Sequence, residues 1–338
     1  MNRSSDYRRL RGPILRSVSR SFYLSLRFLP QALRGPLSLA YLLARATDTI
    51  ADTAQPPVAL RIEALRQLAA AIQGTAPIET LEELRNSFGR EQTDDAERQL
   101  IEQIPALLNW LADLPAADRE DVRGVLVKIN RGQSLDLERF DSSTSTSIKA
   151  LRTAKELDEY TYLVAGCVGE FWTRLCFRHV KNFTARSEPE MRELGIRYGK
   201  GLQLINILRD AGDDLRNGRC YFPADELESA GVAPGEIRRH PNRVEPVMKK
   251  WREKAKQGIE AGMEYAAAIR NRRVRFATAL PAMIGARTLA LIREAGPDAL
   301  ERKVKIPRGE VRKLILSGAL ASPRSLRAKF EKLQGAAV

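Results

Sequence analysis

The chain has 338 residues, of which 43% are hydrophobic, and 56 basic against 42 acidic residues give it a formal net charge of +14. This length and apolar content suffice for a large buried core, and the positive charge indicates an anionic partner such as nucleic acid, an acidic membrane surface or a phosphorylated substrate. With only two histidines, a histidine-based metal site or catalytic triad is disfavoured. Any chemistry must therefore rest on carboxylates, arginines, lysines and tyrosines.

The three cysteines lack the spacing of a metal site, and no secretory signal peptide is visible. We therefore expect reduced thiols and a cytoplasmic protein. The most apolar stretch, residues 280–292, carries Arg287 and is shorter than the roughly 20 apolar residues that a spanning helix needs. No transmembrane segment is expected.

Helix-forming residues dominate the chain. Segments rich in Ala, Leu, Arg, Glu and Gln, with apolar residues three and four apart, predict helices, and alternating β-branched runs between hairpin turns are missing. Breaks between these helices are expected at Pro56-Pro57, at 74–77, at Pro115, at 141–147 and at 185–190. The sequence predicts an all-α protein of about ten helices.

The second half of the chain contains a clear helix end and a basic terminus. The helix through Asp214 is expected to stop near Gly218, a residue suited to a C-terminal cap, with Pro223 beyond it. From about Glu301 onward the sequence is strongly basic. Since no linker is long enough to indicate a second domain, we expect one all-α domain over 1–300 and a basic C-terminal tail over 301–338.

Two acidic motifs lie in helices that are otherwise apolar. The stretch ARATDTIADT places Asp48 and Asp52 four residues apart, and GLQLINILRDAGDDLRNGR places Asn206, Asp210 and Asp214 at successive steps of four. Side chains four apart on a helix lie on one face, about 5–6 Å from each other. Each motif therefore presents its carboxylates together.

The two motifs predict a magnesium–diphosphate site on a helical scaffold. Buried carboxylates need a neutralising cation, and Mg²⁺ takes few protein carboxylates while it completes its shell with water and phosphate oxygens. Gln203 and Arg209 border the second motif, and Arg45, Arg209 and Arg219 would hold the phosphates. The alternative for either motif alone is an exposed helix face on which aspartate pairs with arginine.

Four stretches resemble, in order, the squalene/phytoene synthases, which are head-to-head prenyltransferases. They are SRSFYLSLRFLP, AYLLARATDTIADT, YTYLVAGCVGEFW and LQLINILRDAGDDLRNGRCYFP, which together span residues 19–223. The resemblance implies a single-domain, all-α isoprenoid synthase fold with helices around a central cavity. It also implies Mg²⁺ as the metal, held with diphosphate between the two motifs.

Carried over position by position, the resemblance implies roles for individual side chains. The metal ligands would be Asp48, Asp52, Asp210 and Asp214, with Tyr160 handling the proton lost in catalysis. Substrate would be bound by Arg20, Tyr41, Arg45, Gln203, Asn206, Arg209 and Arg219. The first motif departs from the eukaryotic squalene synthase pattern at Ala51, where an acidic residue usually stands, so this motif has one carboxylate fewer.

Within the family, the residues are most similar to the squalene synthase branch. That branch condenses two farnesyl diphosphates through presqualene diphosphate and reduces the product with NADPH. The stretch KVKIPRGEV resembles the branch's NADPH-phosphate segment, and this implies Lys305 and Arg308, with Asn206 and Arg209 nearby, as cofactor-binding residues. The alternatives are a dehydrosqualene or phytoene synthase and an enzyme that stops at presqualene diphosphate.

The net charge also fits two other interpretations. A basic helical nucleic-acid binder predicts lysines and arginines clustered on a surface helix with aromatic residues between them, whereas the arginines here attend acidic motifs or lie in the tail. No nucleic-acid partner is therefore expected. The basic tail is instead a candidate for NADPH binding or for a peripheral contact with the inner face of the membrane.

Overall fold

The computed structural model describes residues 7–19, 26, 28–301, 303–318 and 321–335. Within these residues the α-helices, numbered α1 to α15 in chain order, are Leu15–Ser19, Gln31–Asp52, Val58–Gln73, Glu82–Arg90, Asp95–Glu102, Ile104–Ala112, Ala116–Arg139, Ala154–Thr161, Cys167–His179, Glu188–Arg216, Ala224–Ser229, Pro241–Ala268, Arg272–Ala295, Arg308–Gly318 and Pro323–Gly335.

Short helical turns of other types complete the secondary structure. The π-helical turns are Leu10–Ile14 and Tyr162–Gly166, and the 3₁₀ turns are Ile78–Leu81, Pro234–Glu236 and Gly296–Leu300. The described residues also contain two short strands, β1 (Lys149–Ala150) and β2 (Arg219–Cys220), which pair in parallel. An all-α protein of about ten helices was predicted. The described residues are indeed almost wholly helical, but they form fifteen α-helices and add two short strands.

The described residues divide into two compact units. The first consists of the described part of 1–138 together with Arg174–Lys181, and the second of Arg139–Thr173 together with the described part of 182–338. The prediction of a domain over 1–300 and a tail over 301–338 stays a prediction.

The first unit is built around α2, whose buried face follows the helical period. Leu39, Leu42, Leu43 and Ile50 are completely buried and recur at three- and four-residue steps. The helix begins after Pro30 and ends at Asp52, followed by Thr53 in an extended conformation. The packed face and the helix end together place the first acidic motif in the last two turns of α2.

The second unit is built around α10, α12 and α13. A capping box starts α10, in which the Ser187 hydroxyl accepts from the Glu190 amide and the Glu190 carboxylate accepts from the Ser187 amide. Leu208, Ile259 and Met283, one from each helix, are fully buried in the shared core. This packing fixes one side of α10 and leaves the second acidic motif on another.

The basic C-terminal segment is part of this second unit. Leu326 and Phe330 of α15 belong to its core and are 2% and 0% exposed. In α14, by contrast, Leu316 is 78% exposed. The segment beyond residue 301 is therefore folded against the unit through α15.

One helical stretch of the described residues, Arg272–Leu300, is long and apolar enough to cross a membrane by composition alone. Most of its apolar window, 72%, is buried inside the protein. Ala279, Ala282 and Met283 are completely buried, which is the pattern of a core helix.

Candidate active site

The first acidic motif lies at the end of α2, on the side that the core leaves open. Asp48 is half-buried and Asp52 is exposed, whereas Thr49, Ile50 and Ala51 between them are buried. The predicted placement of the two carboxylates one turn apart is therefore what the helix produces. Within the first unit they form one acidic face.

Arg45 lies one helical turn before Asp48 in this first motif. It donates to Asp48, one turn further along α2, and to Glu97 of α5. Burial disfavours its charge, but Asp48 and Glu97 outweigh that effect and raise the pKa of Arg45. Glu97 is a residue that the sequence did not single out, because its contact with Arg45 spans 52 residues of chain.

Asp48 is held in a mixed environment. Burial of its carboxyl group raises the pKa of Asp48 against the effect of Arg45, although 43% of the side chain remains accessible to solvent. In the absence of a metal, the arginine is therefore the neighbour that neutralises this carboxylate. The predicted pairing of aspartate with arginine and the predicted metal site are both compatible with this arrangement.

One further predicted residue, Tyr41, belongs to the first motif's surroundings. Tyr41 lies one turn before Arg45, is half-buried and donates its hydroxyl to the Val18 carbonyl at 3.2 Å. Burial raises the pKa of Tyr41, so its phenol stays protonated at neutral pH. Arg20, the remaining residue predicted on this side, lies outside the described residues.

Ala51, the position where the sequence departs from the family pattern, faces the core. Ala51 is 7% exposed, and its carbonyl oxygen accepts a hydrogen bond from the Arg61 side chain at 2.8 Å. A carboxylate at this position would be largely buried, which is costly unless the charge is paired. The alanine therefore suits its surroundings in this chain.

The second acidic motif runs along one face of α10. Its members are half-buried, and buried residues separate them along the helix. The face comprises Gln203, Asn206, Asp210, Asp213 and Asp214. Asn206 donates to the Gln203 side chain at 3.3 Å, which orients both amides on this surface.

Asp210 is contacted by two cations. The Arg209 side chain donates to both of its oxygens, once at 3.1 Å, and Lys303 lies 2.9 Å from one of them. Burial opposes ionisation, but the hydrogen bonds from Arg209 and Lys303 outweigh it and lower the pKa of Asp210. The carboxylate is therefore charged at neutral pH and can bind a cation.

The chain turns sharply directly after the motif. Gly218 adopts a φ of +78°, and a Cβ there would lie 2.5 Å from the Thr144 backbone, so the predicted helix-ending glycine is required by the turn. Arg219 follows in β2, paired with Lys149. Arg219, a few residues after Asp214 in the chain, therefore lies beside Lys149 of β1.

Tyr160 lies close to this turn. Its ring stacks on the Tyr221 ring at a centroid distance of 5.1 Å and an interplanar angle of 24°. The Phe140 ring contacts the Tyr221 ring edge-on, at a centroid distance of 5.2 Å. Tyr160 is half-buried, whereas Tyr221 and Phe140 are buried. Tyr160, the tyrosine predicted to handle the proton, therefore contacts Tyr221, which follows Arg219 by two residues in the chain.

A basic segment, residues 303–308, lies beside the second motif. Lys305 and Arg308, the residues predicted for NADPH, are both exposed, and Arg308 begins α14. The residue of the segment that contacts the motif is Lys303, which the sequence did not single out. Its partner Asp213 lies 90 residues away in the chain, a separation at which no periodic signal exists.

The donor atoms on both helices suit a hard divalent cation. Each motif offers carboxylate oxygens one helical turn apart, and Mg²⁺ prefers oxygen ligands and retains waters. No cluster of three or more potential metal-binding side chains occurs among the described residues. The metal site at Asp48, Asp52, Asp210 and Asp214 stays a prediction.

Comparison with known proteins identifies the family. The model of the squalene/phytoene synthase family matches residues 15–310. A squalene synthase of Gibberella zeae is 28% identical over 89% of this chain and 62% of its own length. The 15-cis-phytoene synthase of a Synechocystis species is 30% identical over 62% of this chain and 53% of its own length. The chain thus spans less than two thirds of these relatives.

Solved structures show the same fold. The protein TcSQS in complex with a ligand has a TM-score of 0.77 at 22% identity, with 99% of this chain and 93% of that chain covered. A dehydrosqualene synthase gives 0.65 at 22% identity and 98% coverage of both chains, and the squalene synthase HpnC from Alicyclobacillus acidocaldarius gives 0.59 at 20% identity, covering 86% and 94%. The predicted all-α isoprenoid synthase fold is confirmed, and the chain belongs to the squalene/phytoene synthase family, a family of prenyltransferase-type enzymes.

Proposed function

We propose that this protein is a squalene synthase that condenses two farnesyl diphosphates head to head through presqualene diphosphate and reduces the intermediate with NADPH. The family binds prenyl diphosphates, which supports the substrate class. One observation carries the choice of the reductive branch. The basic segment lies directly against the second acidic motif, through the contacts of Lys303 with Asp210 and Asp213.

The two acidic motifs would hold Mg²⁺ through Asp48, Asp52, Asp210 and Asp214. Bound there, the metal would supply positive charge to the departing diphosphate. Arg45, Arg209 and Arg219 would bind phosphate oxygens, a task for which the planar guanidinium with its several donors is suited. Arg20, Tyr41, Gln203 and Asn206 complete the proposed substrate contacts.

The first half-reaction forms carbon–carbon bonds between the two farnesyl units. One diphosphate leaves, the double bond of the second substrate attacks the allylic cation, and loss of a proton closes the cyclopropane. We assign the handling of that proton to Tyr160. Its ring is stacked on Tyr221 in the same unit as Asp210.

The second half-reaction would use the basic segment. NADPH, when bound, would supply a hydride to the cation that forms when the second diphosphate leaves and the cyclopropane rearranges. Lys305 and Arg308 are exposed and lie two and five residues after Lys303, so their cations are available to the phosphates of the cofactor near the second motif. Asn206 and Arg209 extend the same surface on α10.

Product analysis tests this proposal. The purified protein is incubated with farnesyl diphosphate and Mg²⁺, with and without NADPH, and the hydrocarbon is identified by mass spectrometry. We expect squalene only when NADPH is present. A hydrocarbon with one more double bond irrespective of NADPH would indicate a dehydrosqualene synthase, and activity confined to geranylgeranyl diphosphate would indicate a phytoene synthase; either outcome refutes the proposal.

Presqualene diphosphate as the final product with NADPH present would indicate an enzyme that lacks the reductive step, and would refute the reductive half alone.

We also propose a cytoplasmic location with a peripheral contact of the basic tail at the inner face of the membrane. Sedimentation with anionic vesicles tests that contact, and absence of co-sedimentation would refute it.

A further inference from the structure

Lys303 connects the second acidic motif to the basic segment. Its ammonium nitrogen lies 2.9 Å from an oxygen of Asp210 and 2.9 Å from an oxygen of Asp213. An arginine of α10 already contacts each carboxylate, Arg209 on Asp210 and Arg216 on Asp213. Lys303 is thus a cation from another part of the chain that both aspartates share.

Packing on both sides holds this lysine in place. Leu300 is completely buried and Val304 is 8% exposed, so the backbone is anchored before and after the lysine. Against α10 the approach is close, since a Cβ at Gly212 would lie 2.6 Å from the Leu300 carbonyl oxygen. The contact between Lys303 and the motif therefore follows from the packing of the second unit.

The three groups stabilise one another in their charged forms. The Lys303 ammonium donates to Asp213, and each of the two carboxylates places a negative charge 2.9 Å from it. At neutral pH the lysine is therefore a fixed positive charge beside carboxylate oxygens.

We propose that Lys303 is an internal counter-ion of the second acidic motif, which holds the basic segment against α10 until a divalent cation bound at Asp210 displaces its ammonium. The inference rests on the proposed metal site. The two cations compete because Mg²⁺ needs Asp210 oxygen at about 2.0–2.1 Å, and the ammonium already lies 2.9 Å from one oxygen.

Thermodynamic linkage makes the effect reciprocal. Removal of the ammonium strengthens cation binding, because the competing charge is gone. Conversely, cation binding loosens the basic segment, because its polar contact with α10 is broken. Lys303 is thereby a positioning residue that couples metal loading to the segment proposed for NADPH.

Manganese binding to the full chain, measured from the electron paramagnetic resonance signal of free Mn²⁺, tests whether Lys303 competes with a divalent cation. An ion pair that is partly exposed contributes up to about 1 kcal/mol, so Lys303→Ala should tighten the dissociation constant for Mn²⁺ roughly two- to fivefold. Lys313→Ala removes the same charge from an exposed position of α14 and should leave the constant unchanged. Asp210→Asn should weaken binding at least tenfold.

Hydrogen exchange of the peptide that covers 301–308, without substrate or NADPH, tests whether cation binding loosens the basic segment. Mn²⁺ should accelerate exchange in the wild-type protein, and Lys303→Ala should show the faster exchange without metal. Unchanged Mn²⁺ affinity in Lys303→Ala, while Asp210→Asn still loses binding, overturns the counter-ion alone. Wild-type binding that is insensitive to Asp210→Asn overturns the metal assignment and with it this inference.

Discussion

Gly212 and Leu300 are in direct backbone contact, and this contact sets the geometry of the second acidic motif. A Cβ at Gly212 would lie 2.6 Å from the Leu300 carbonyl oxygen and 3.0 Å from its carbonyl carbon. Gly212 stands between Asp210 and Asp213, and Leu300 precedes Lys303 by three residues. A close approach of two backbones therefore brings the lysine within reach of both carboxylates.

Gly212→Ala should destabilise the protein, because backbone rather than a flexible side chain must move to make room. We expect a loss of about 1–3 kcal/mol in the free energy of unfolding, the usual cost of overpacking a tight contact. Urea denaturation followed by circular dichroism measures it. Gly124→Ala is the matched control, since nothing lies within 4 Å of a Cβ there and the site is inside a helix. A wild-type value for Gly212→Ala would show that the contact is not tight.

The three thiols should be unreactive in the folded protein. Cys167, Cys176 and Cys220 are free and at most 2% exposed. Burial raises the pKa of Cys176 and raises the pKa of Cys220 to about 12, so the reactive thiolate is scarce at pH 8. Labelling with an aromatic disulfide reagent should proceed only as fast as unfolding. Rapid stoichiometric labelling of native protein would contradict this burial.

Asp213 should make folding sensitive to acid. Hydrogen bonds from Lys303 and Arg216 hold its folded-state pKa below the ordinary value of 3.8. A lowered pKa means that the stabilisation is present above the unfolded-state pKa and is lost as pH falls through the folded-state value. Because 39% of the side chain is exposed, we expect Asp213→Asn to cost only about 0.5 kcal/mol at pH 7.

Urea denaturation of Asp213→Asn and wild type at pH 7 and at pH 3 or below measures this difference. The gap between the two proteins should narrow as the pH falls below the unfolded-state pKa. A gap that widens towards low pH would show that the aspartate is not stabilised in its charged form.

Much of the fold follows from local sequence patterns. The three- and four-residue spacing of Leu39, Leu42 and Leu43 predicts α2, and the acidic residues that interrupt the period mark its open face. Helix α10 ends at Arg216, near Gly218 as predicted. Gly218 has a positive φ, and glycine meets this local requirement at a helix end. Such features depend on residues within one or two turns.

The parts that the sequence did not predict depend on distant residues. The strand pair β1–β2 has two residues on each side and joins Lys149 to Arg219, so it has no recognisable alternation. Glu97 and Lys303 complete the surroundings of the two motifs through contacts that tertiary packing alone creates. Their charges look like ordinary surface charges in the sequence.

The rate at which Asp210→Asn forms presqualene diphosphate from farnesyl diphosphate and Mg²⁺, without NADPH, tests the central claim most directly. The claim is that the second acidic motif serves as a metal–diphosphate site. Asparagine keeps the size of the side chain but removes its charge, so the helical content should stay that of the wild type while the rate falls at least about 100-fold, the scale of a lost electrostatic contribution to catalysis. A rate within a few-fold of wild type would contradict the account.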